Sequence, residues 1–234
     1  MQATGTTVTM VAPGAELSGF KLVIVPTLYM VSDDHAAQIN NYVHNGGHAI
    51  VTFYSGIVDE DDRVRTGGYP GAFREMLGIR TEEFCPLLPG QQLELSDGRT
   101  SSLWSERTTL QGADAVVSYV DGPNPGGPAV TVNGFGQGQA WYVGTVLDSD
   151  ALLHLVSGAL EGAAVAPVAP EATAELEMVR RSHPGGSYLF VINHGRQEQQ
   201  LVAAGHEILT QTDISQTLTV PAGAVRVIRE EVRP

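Results

Sequence analysis

Ser55 follows the apolar run His48–Tyr54 and precedes Gly56. In an open α/β sheet, that position beyond a strand's carboxyl end presents a nucleophile or a ligand-binding loop. The local residues Thr52-Phe53-Tyr54-Ser55-Gly56 do not complete a G-x-S-x-G elbow, so Ser55 offers a hydroxyl without its motif. Close behind it, Asp59-Glu60-Asp61-Asp62 gathers consecutive carboxylates. Such a cluster attracts a hard cation, but a calcium loop alternates its ligands and closes on a bidentate Glu. Here Arg63 and Arg65 stand near enough to pair with the acids, and a solvated acidic loop fixed by those arginines is the simpler reading.

The remaining chemistry-bearing residues are dispersed. Histidines 35, 44, 48, 154, 183, 194 and 206 make no HExxH or Cys-His pattern. His44 and His48 lie four apart, with Gly46-Gly47 interrupting any helix between them. Gly134-Phe135-Gly136-Gln137-Gly138 has glycines but opens no helix, and a hairpin turn that needs positive φ accounts for them. Trp104, Trp141, Tyr142, Tyr188 and Phe190 could form a sugar-stacking platform, or fill the core of short strands. Asp and Glu residues are scattered, with no spacing that selects a pair for glycoside cleavage. On these residues no catalytic group, no metal site and no cofactor is assigned.

The elements around these residues read as follows. Lys21–Thr27 (KLVIVPT) is a β-branched apolar run suited to a strand covered on both faces. Ser32 caps a helix whose Asp33 and Asp34 favour its N-terminal end, with Ala36, Ile39, Tyr42 and Val43 at helical spacing and Gly46-Gly47 as its stop. His48–Tyr54 returns as a second buried strand, completing a β-α-β unit. Thr6–Val11 alternates like a strand, and Pro70–Leu77 reads as a short helix ended by Gly78. Strand-like pieces separated by turns fill residues 84–147, and Asp148–Leu160 is an amphipathic helix. Ala163–Ala172 holds two prolines and reads as a linker. Beyond it come only short strands, over 176–180, 187–193, 199–202, 216–220 and 224–229. Two domains are expected, 1–166 of α/β type and 167–234 as a small antiparallel β-domain.

A formal net charge of −13 provides no basic footprint for nucleic acid or an anionic membrane. The single cysteine, Cys85, excludes an intramolecular disulfide. Met1–Thr9 lacks the basic and apolar regions of a signal peptide, and no apolar run approaches the roughly 20 residues of a membrane span. A cytoplasmic protein is expected.

Two stretches carry a resemblance. LSGFKLVIVPTLYMVSD at 17–33 and IVTFYSGIVDEDDRVRTGGYPGAFREMLG at 50–78 resemble the trimerisation domain of glycoside hydrolase family 42 β-galactosidases. The order of acidic loop, Arg-Val-Arg and Gly-Gly-Tyr-Pro-Gly in 55–71 is its most specific part. LSDG at 95–98, Leu103-Trp104 and GQGQAWYVGTVLD at 136–148 agree with it. YLFVINH at 188–194 and residues 218–228 are similar to strands of that family's small β-domain.

The resemblance implies a flavodoxin-like or class I glutamine-amidotransferase-like domain, here without its first strand and helix, followed by an antiparallel β-domain. Amidotransferase-like domains place a cysteine at the elbow, where this chain has Ser55. The family's catalytic (β/α)8 barrel, which needs roughly 250 residues, is not matched, so no catalytic glutamate is carried over. The expected role is therefore non-catalytic: oligomer assembly, as a trimer of itself or with a separately encoded barrel. Galactosides would be met only through the full enzyme. Asp59, Glu60, Arg63, Arg65 and Tyr69 are the candidates for an oligomer contact or a neighbouring-active-site loop. An independent amidotransferase-like hydrolase and a carbohydrate-binding module are the alternatives.

Overall fold

The computed structural model describes residues 4–168 and 175–230, which fall into two compact units. The larger, Val11–Ala164, is a mixed α/β unit. Its first β-α-β segment is β1 (Leu22–Val25), α1 (Asp33–His44) and β2 (His48–Thr52). Ser32 Oγ accepts from His35 N–H at 3.3 Å, so the helix starts at the cap that the sequence supplies. Next come α2 (Arg74–Leu77), β3 (Ile79–Pro86), β4 (Gln92–Glu94), β5 (Thr100–Ser102) and β6 (Trp104–Leu110). They are followed by β7 (Asp114–Ser118), β8 (Pro128–Phe135), β9 (Gly138–Val143), β10 (Val146–Leu147) and α3 (Ser149–Gly162).

The main sheet has the order β1-β2-β9-β8-β7. β1, β2 and β9 run parallel, and β8 and β7 continue antiparallel. Ala49, Val51, Ala140 and Tyr142 face one side, where α1 and α2 cover them with Ile39, Val43, Phe73 and Met76. β3 and β6 form a separate antiparallel ribbon, and β10-β5-β4 a third sheet. Among the described residues β1 ends the main sheet and pairs with β2 alone.

The smaller unit comprises residues 4–10, 165–168 and 175–230. Its strands are β11 (Leu176–His183), β12 (Gly186–Asn193), β13 (Gln199–Val202), β14 (Gly205–Glu207), β15 (Thr212–Ile214), β16 (Thr217–Val220) and β17 (Val225–Glu230). They pair entirely antiparallel, as β11-β12-β17-β14-β15 and β13-β16. Leu176, Leu189, Val191, Leu218 and Ile228 form the core. The buried Glu207 holds the β14–β15 connection: its carboxylate accepts from the amides of Leu209 (3.1 Å), Thr210 (2.6 Å) and Val227 (3.0 Å). Burial alone would raise its pKa, but these donors and the Thr210 hydroxyl hold it down at about 2.

Residues 6–11 differ from expectation: the alternating pattern is present, yet the segment joins no strand ladder. Alternation specifies two faces, whereas a strand also needs a neighbour to accept its backbone hydrogen bonds. Thr7 instead takes the Arg180 amide on its Oγ1 at 3.3 Å, and Val8 and Met10 are exposed.

Candidate functional site

The loop after β2 is built by backbone hydrogen bonds. Val58 bridges Val64 antiparallel and Met30 parallel, which ties a small hairpin to the loop after β1. At its tip Asp59 N–H donates to Arg63 O at 3.1 Å, and Asp62 N–H to Asp59 O at 3.2 Å. The Asp59 carboxylate accepts the amides of Arg63 and Asp61, both at 3.0 Å. Those bonds, the Arg63 amide foremost, hold its carboxyl below the usual range. Asp59 is thus turned onto its own turn, and the acidic run gathers no cation site. Among the described residues no cluster of three or more His, Cys, Asp or Glu side chains could hold a metal. Glu60 is exposed, and the exposed Arg63 pairs with Asp61 at 2.8 Å.

Arg65 is placed differently. Its guanidinium lies back across the loop, reaching Asp33 Oδ1 at 2.5 Å and Val31 O at 2.8 Å, and only 18% of its side chain is exposed. Gly71 packs so closely on it that a Cβ there would collide with the Arg65 stem. Tyr69 exchanges backbone hydrogen bonds with Thr81 at 2.9 and 2.7 Å, and its ring stacks on Phe84 at 4.5 Å. So of the five candidates, Asp59 and Arg65 fasten the loop, Tyr69 joins it to β3, and Glu60 and Arg63 face solvent.

Ser55 has no exposed surface, and its Oγ accepts the Leu28 amide at 3.0 Å. This hydroxyl clamps the loop after β1 to the loop after β2. A nucleophile needs access and an activating base, and neither is found at Ser55. His44 and His48 part company as well: His44 meets Phe135 edge-on, and His48 stacks on Trp141 at 5.9 Å.

The aromatics named from sequence divide. Trp141 and Tyr142 are buried core residues, and Tyr188 stacks on His183 in the smaller unit. Trp104 belongs to a half-buried group with Phe53, Tyr54 and Phe84, all with ring centroids 5.2–5.5 Å from its own. Tyr54 stacks on Tyr29 at 5.2 Å, and Phe84 carries the group on to Tyr69. Six aromatic rings therefore line the carboxyl end of β1 and β2 and the adjoining β3–β6 ribbon. Three apolar side chains on these segments are exposed: Met30 (44%), next to Tyr29, Leu103 (58%), next to Trp104, and Val64 (56%), across Val58 from Met30.

Beneath it sits a residue that sequence reasoning passed over. Glu106 on β6 is fully buried, and no cation pairs with it among the described residues. Its carboxylate accepts from Tyr142 Oη (2.6 Å), Trp104 Nε1 (3.0 Å) and Thr81 Oγ1 (3.2 Å). Burial pushes the carboxyl up to about 7, against the pull of those donors. The bond to Trp104 fixes one ring of the aromatic group from below. No motif marks Glu106, because its partners come from β3, β6 and β9.

Comparison with known proteins agrees with this architecture. Residues 1–166 match the sequence family described as the β-galactosidase trimerisation domain, and residues 175–230 match the β-galactosidase C-terminal domain. A β-galactosidase from Arthrobacter sp. is 48% identical over 228 residues, 97% of this chain and 32% of that protein. BgaA, a β-galactosidase from Planococcus sp., is 36% identical across 94% of this chain and 34% of its own length. The crystal structure of a β-galactosidase from Bacillus circulans sp. alkalophilus superposes with a TM-score of 0.90 at 33% identity, covering 97% of this chain and 35% of that one. A GH42 β-galactosidase from G. stearothermophilus superposes at 0.88 with 27% identity, over 99% of this chain and 35% of that one. The chain thus spans about a third of the length of the relatives it matches. With both of its units matched in order, the chain belongs to the glycoside hydrolase family 42 β-galactosidases, of which it carries the trimerisation and C-terminal domains.

Proposed function

We propose that the loop 55–71 and the aromatic group beside it form the face through which this chain assembles with copies of itself, as a trimer. The observation that carries this reading is a connected group of half-buried rings, with exposed Met30 and Leu103 next in the chain to Tyr29 and Trp104, and exposed Val64 across Val58 from Met30. Interface cores are enriched in aromatics, Met and Arg, and single-chain surfaces rarely leave such a patch open. The domain's family description supports a threefold assembly. The same loop, held by Arg65 and Tyr69 at the carboxyl end of the sheet, would then wall a neighbouring active site, with Glu60 and Arg63 on its free side.

In this reading hydrolysis of terminal β-D-galactosides belongs to the whole assembly. Its catalytic pair would sit on a barrel carried by the same polypeptide or a separately encoded one. The parallel β1-β2-β9 core with α1 supports kinship with flavodoxin-like and amidotransferase-like sheets. A domain division at 166/167 is supported by the two compact units, whose membership changes along the chain between Ala164 and Val165. A cytoplasmic location accords with the lone cysteine; no helix among the described residues is long and apolar enough to cross a membrane.

The test is sedimentation velocity of the chain and of a Val64→Asp/Leu103→Asp variant at micromolar concentration. Both positions are exposed, so the variant should fold. A trimer that the double substitution reduces to monomer is expected. A monomeric parent chain, or a variant that stays trimeric, would sink the reading.

A further inference from the structure

At the other end of β2 from the loop just described, an open cleft between α1 and residues 16–21 has a volume of about 850 Å³. Its floor includes Gly46, Gly47 and His48 at the start of β2, far along the strand from the aromatic group. The wall from α1 and its C-cap presents three side-chain amides, Gln38 and Asn41 on the helix and Asn45 at the cap. Asn41 and Asn45 are exposed, and their side chains make no hydrogen bond to any described residue. Gln38 donates Nε2 to Ala15 O at 2.7 Å, which leaves its carbonyl oxygen unused. His48 Nδ1 is buried with no partner.

Charge in the cleft is sparse and balanced against anions. Lys21 commits its ammonium to Ala164 O at 2.8 Å, while Glu16 and Asp34 contribute carboxylates. A phosphate or carboxylate ligand would meet too little positive charge. Side-chain amides each offer a donor pair and an acceptor, which suits a ligand whose every polar group both donates and accepts. The volume lies within the range of roughly 300–1,000 Å³ usual for small-molecule sites. From this geometry we infer that the cleft binds a small, uncharged, polyhydroxylated molecule, a monosaccharide or a short polyol, with Asn41 and Asn45 as its principal contacts.

The experiment is a backbone-amide NMR titration of the chain with D-galactose, with glycerol and with inorganic phosphate, each to high millimolar concentration. Saturable shifts confined to residues 38–48 are expected with galactose. Tighter response to galactose than to glycerol identifies the source as sugar, and an equal response identifies it as a simple polyol; both support the site. Asn41→Ala/Asn45→Ala, two exposed substitutions, should weaken the response about tenfold at an unchanged melting temperature. No saturable shift with either hydroxylated probe, shifts unaltered in the variant, or a matching response to phosphate would overturn the inference. Because the cleft does not touch the loop 55–71, the result is independent of the oligomeric state.

Discussion

The Tyr142 hydroxyl donates to Glu106 Oε2 at 2.6 Å, joining the central strand β9 to the β3–β6 ribbon through a carboxyl group with no cationic partner among the described residues. Such a group is held by neutral donors alone, so its ionised form is disfavoured relative to water. Its folded pKa of about 7 stands above the usual 4.5, so its favourable contribution is complete below about pH 4.5 and is lost as the pH rises through 7.

Glu106→Gln should abolish that dependence. A glutamine can keep its oxygen on Trp104 and donate its amide to Tyr142 and Thr81, whose hydroxyls are free to rotate. Urea unfolding of the larger unit should therefore give similar stability for both proteins near pH 5. Near pH 8 the variant should be the more stable, by on the order of 3 kcal/mol. Parallel stability curves across this range would show that the carboxyl does not titrate there.

Arg65 and Arg63 sit two residues apart and should respond unequally to truncation. Arg65→Ala removes a charged donor from Val31 O and the packing partner of Gly71, and should cost about 1–2 kcal/mol in chemical denaturation. Arg65→Lys should not restore it, since an ammonium cannot reach both Asp33 and Val31 as the guanidinium fork does. Arg63→Ala breaks only an exposed pair and should stay within about 0.5 kcal/mol of the parent. Equal losses from the two would contradict the loop geometry.

In the smaller unit, Glu207→Gln should lower stability by about 3 kcal/mol, because a charge-assisted acceptor of several amides is replaced by a group that presents one oxygen. Since the folded pKa is depressed to about 2, the carboxylate's contribution is present above about pH 4.5 and is lost as the pH falls towards 2. Thermal melts at pH 7 and pH 3 should therefore show the gap between parent and variant closing in acid.

Cys85 is half-buried, and burial, aided by nearby Glu83, raises its thiol above the ordinary value. Alkylation by iodoacetamide near neutral pH should run slower than for a free small-molecule thiol, because the thiolate is the reacting form. Unfolding in urea should bring the rate up to that of the free thiol.

The β-α-β opening was legible because each of its signals is local: a β-branched run, a Ser32 cap, an apolar stripe and a glycine stop. The strands of the smaller unit were legible for the same reason, apart from the three-residue pair β14 and β15. The β3–β6 ribbon was not. IRTEEFCP and WSERTTL carry charges at positions where alternation suggests solvent, and only the pairing reveals that Glu106 points inward while Arg107 points out. The loop 55–71 stood out by its residue order, yet the division of labour between Arg63 and Arg65 depends on Val31 and Asp33, about 30 residues away. Ser55 had the right place in the chain for a nucleophile; its buried hydroxyl is taken by the amide of Leu28, which no spacing rule connects to it.

β1 closes the main sheet with one side of its backbone unpaired, and its apolar LVIV would template intermolecular strand addition. The residues that bracket it set the limit. Lys21 places a charge at its entry and Pro26, lacking an amide hydrogen, stops any ladder at its exit. A foreign strand is thereby confined to four residues of register, shorter than the roughly six- or seven-residue segments of steric zippers. Thr27 beyond Pro26, at φ 48, already leaves extended geometry, so the template would end there even without the proline.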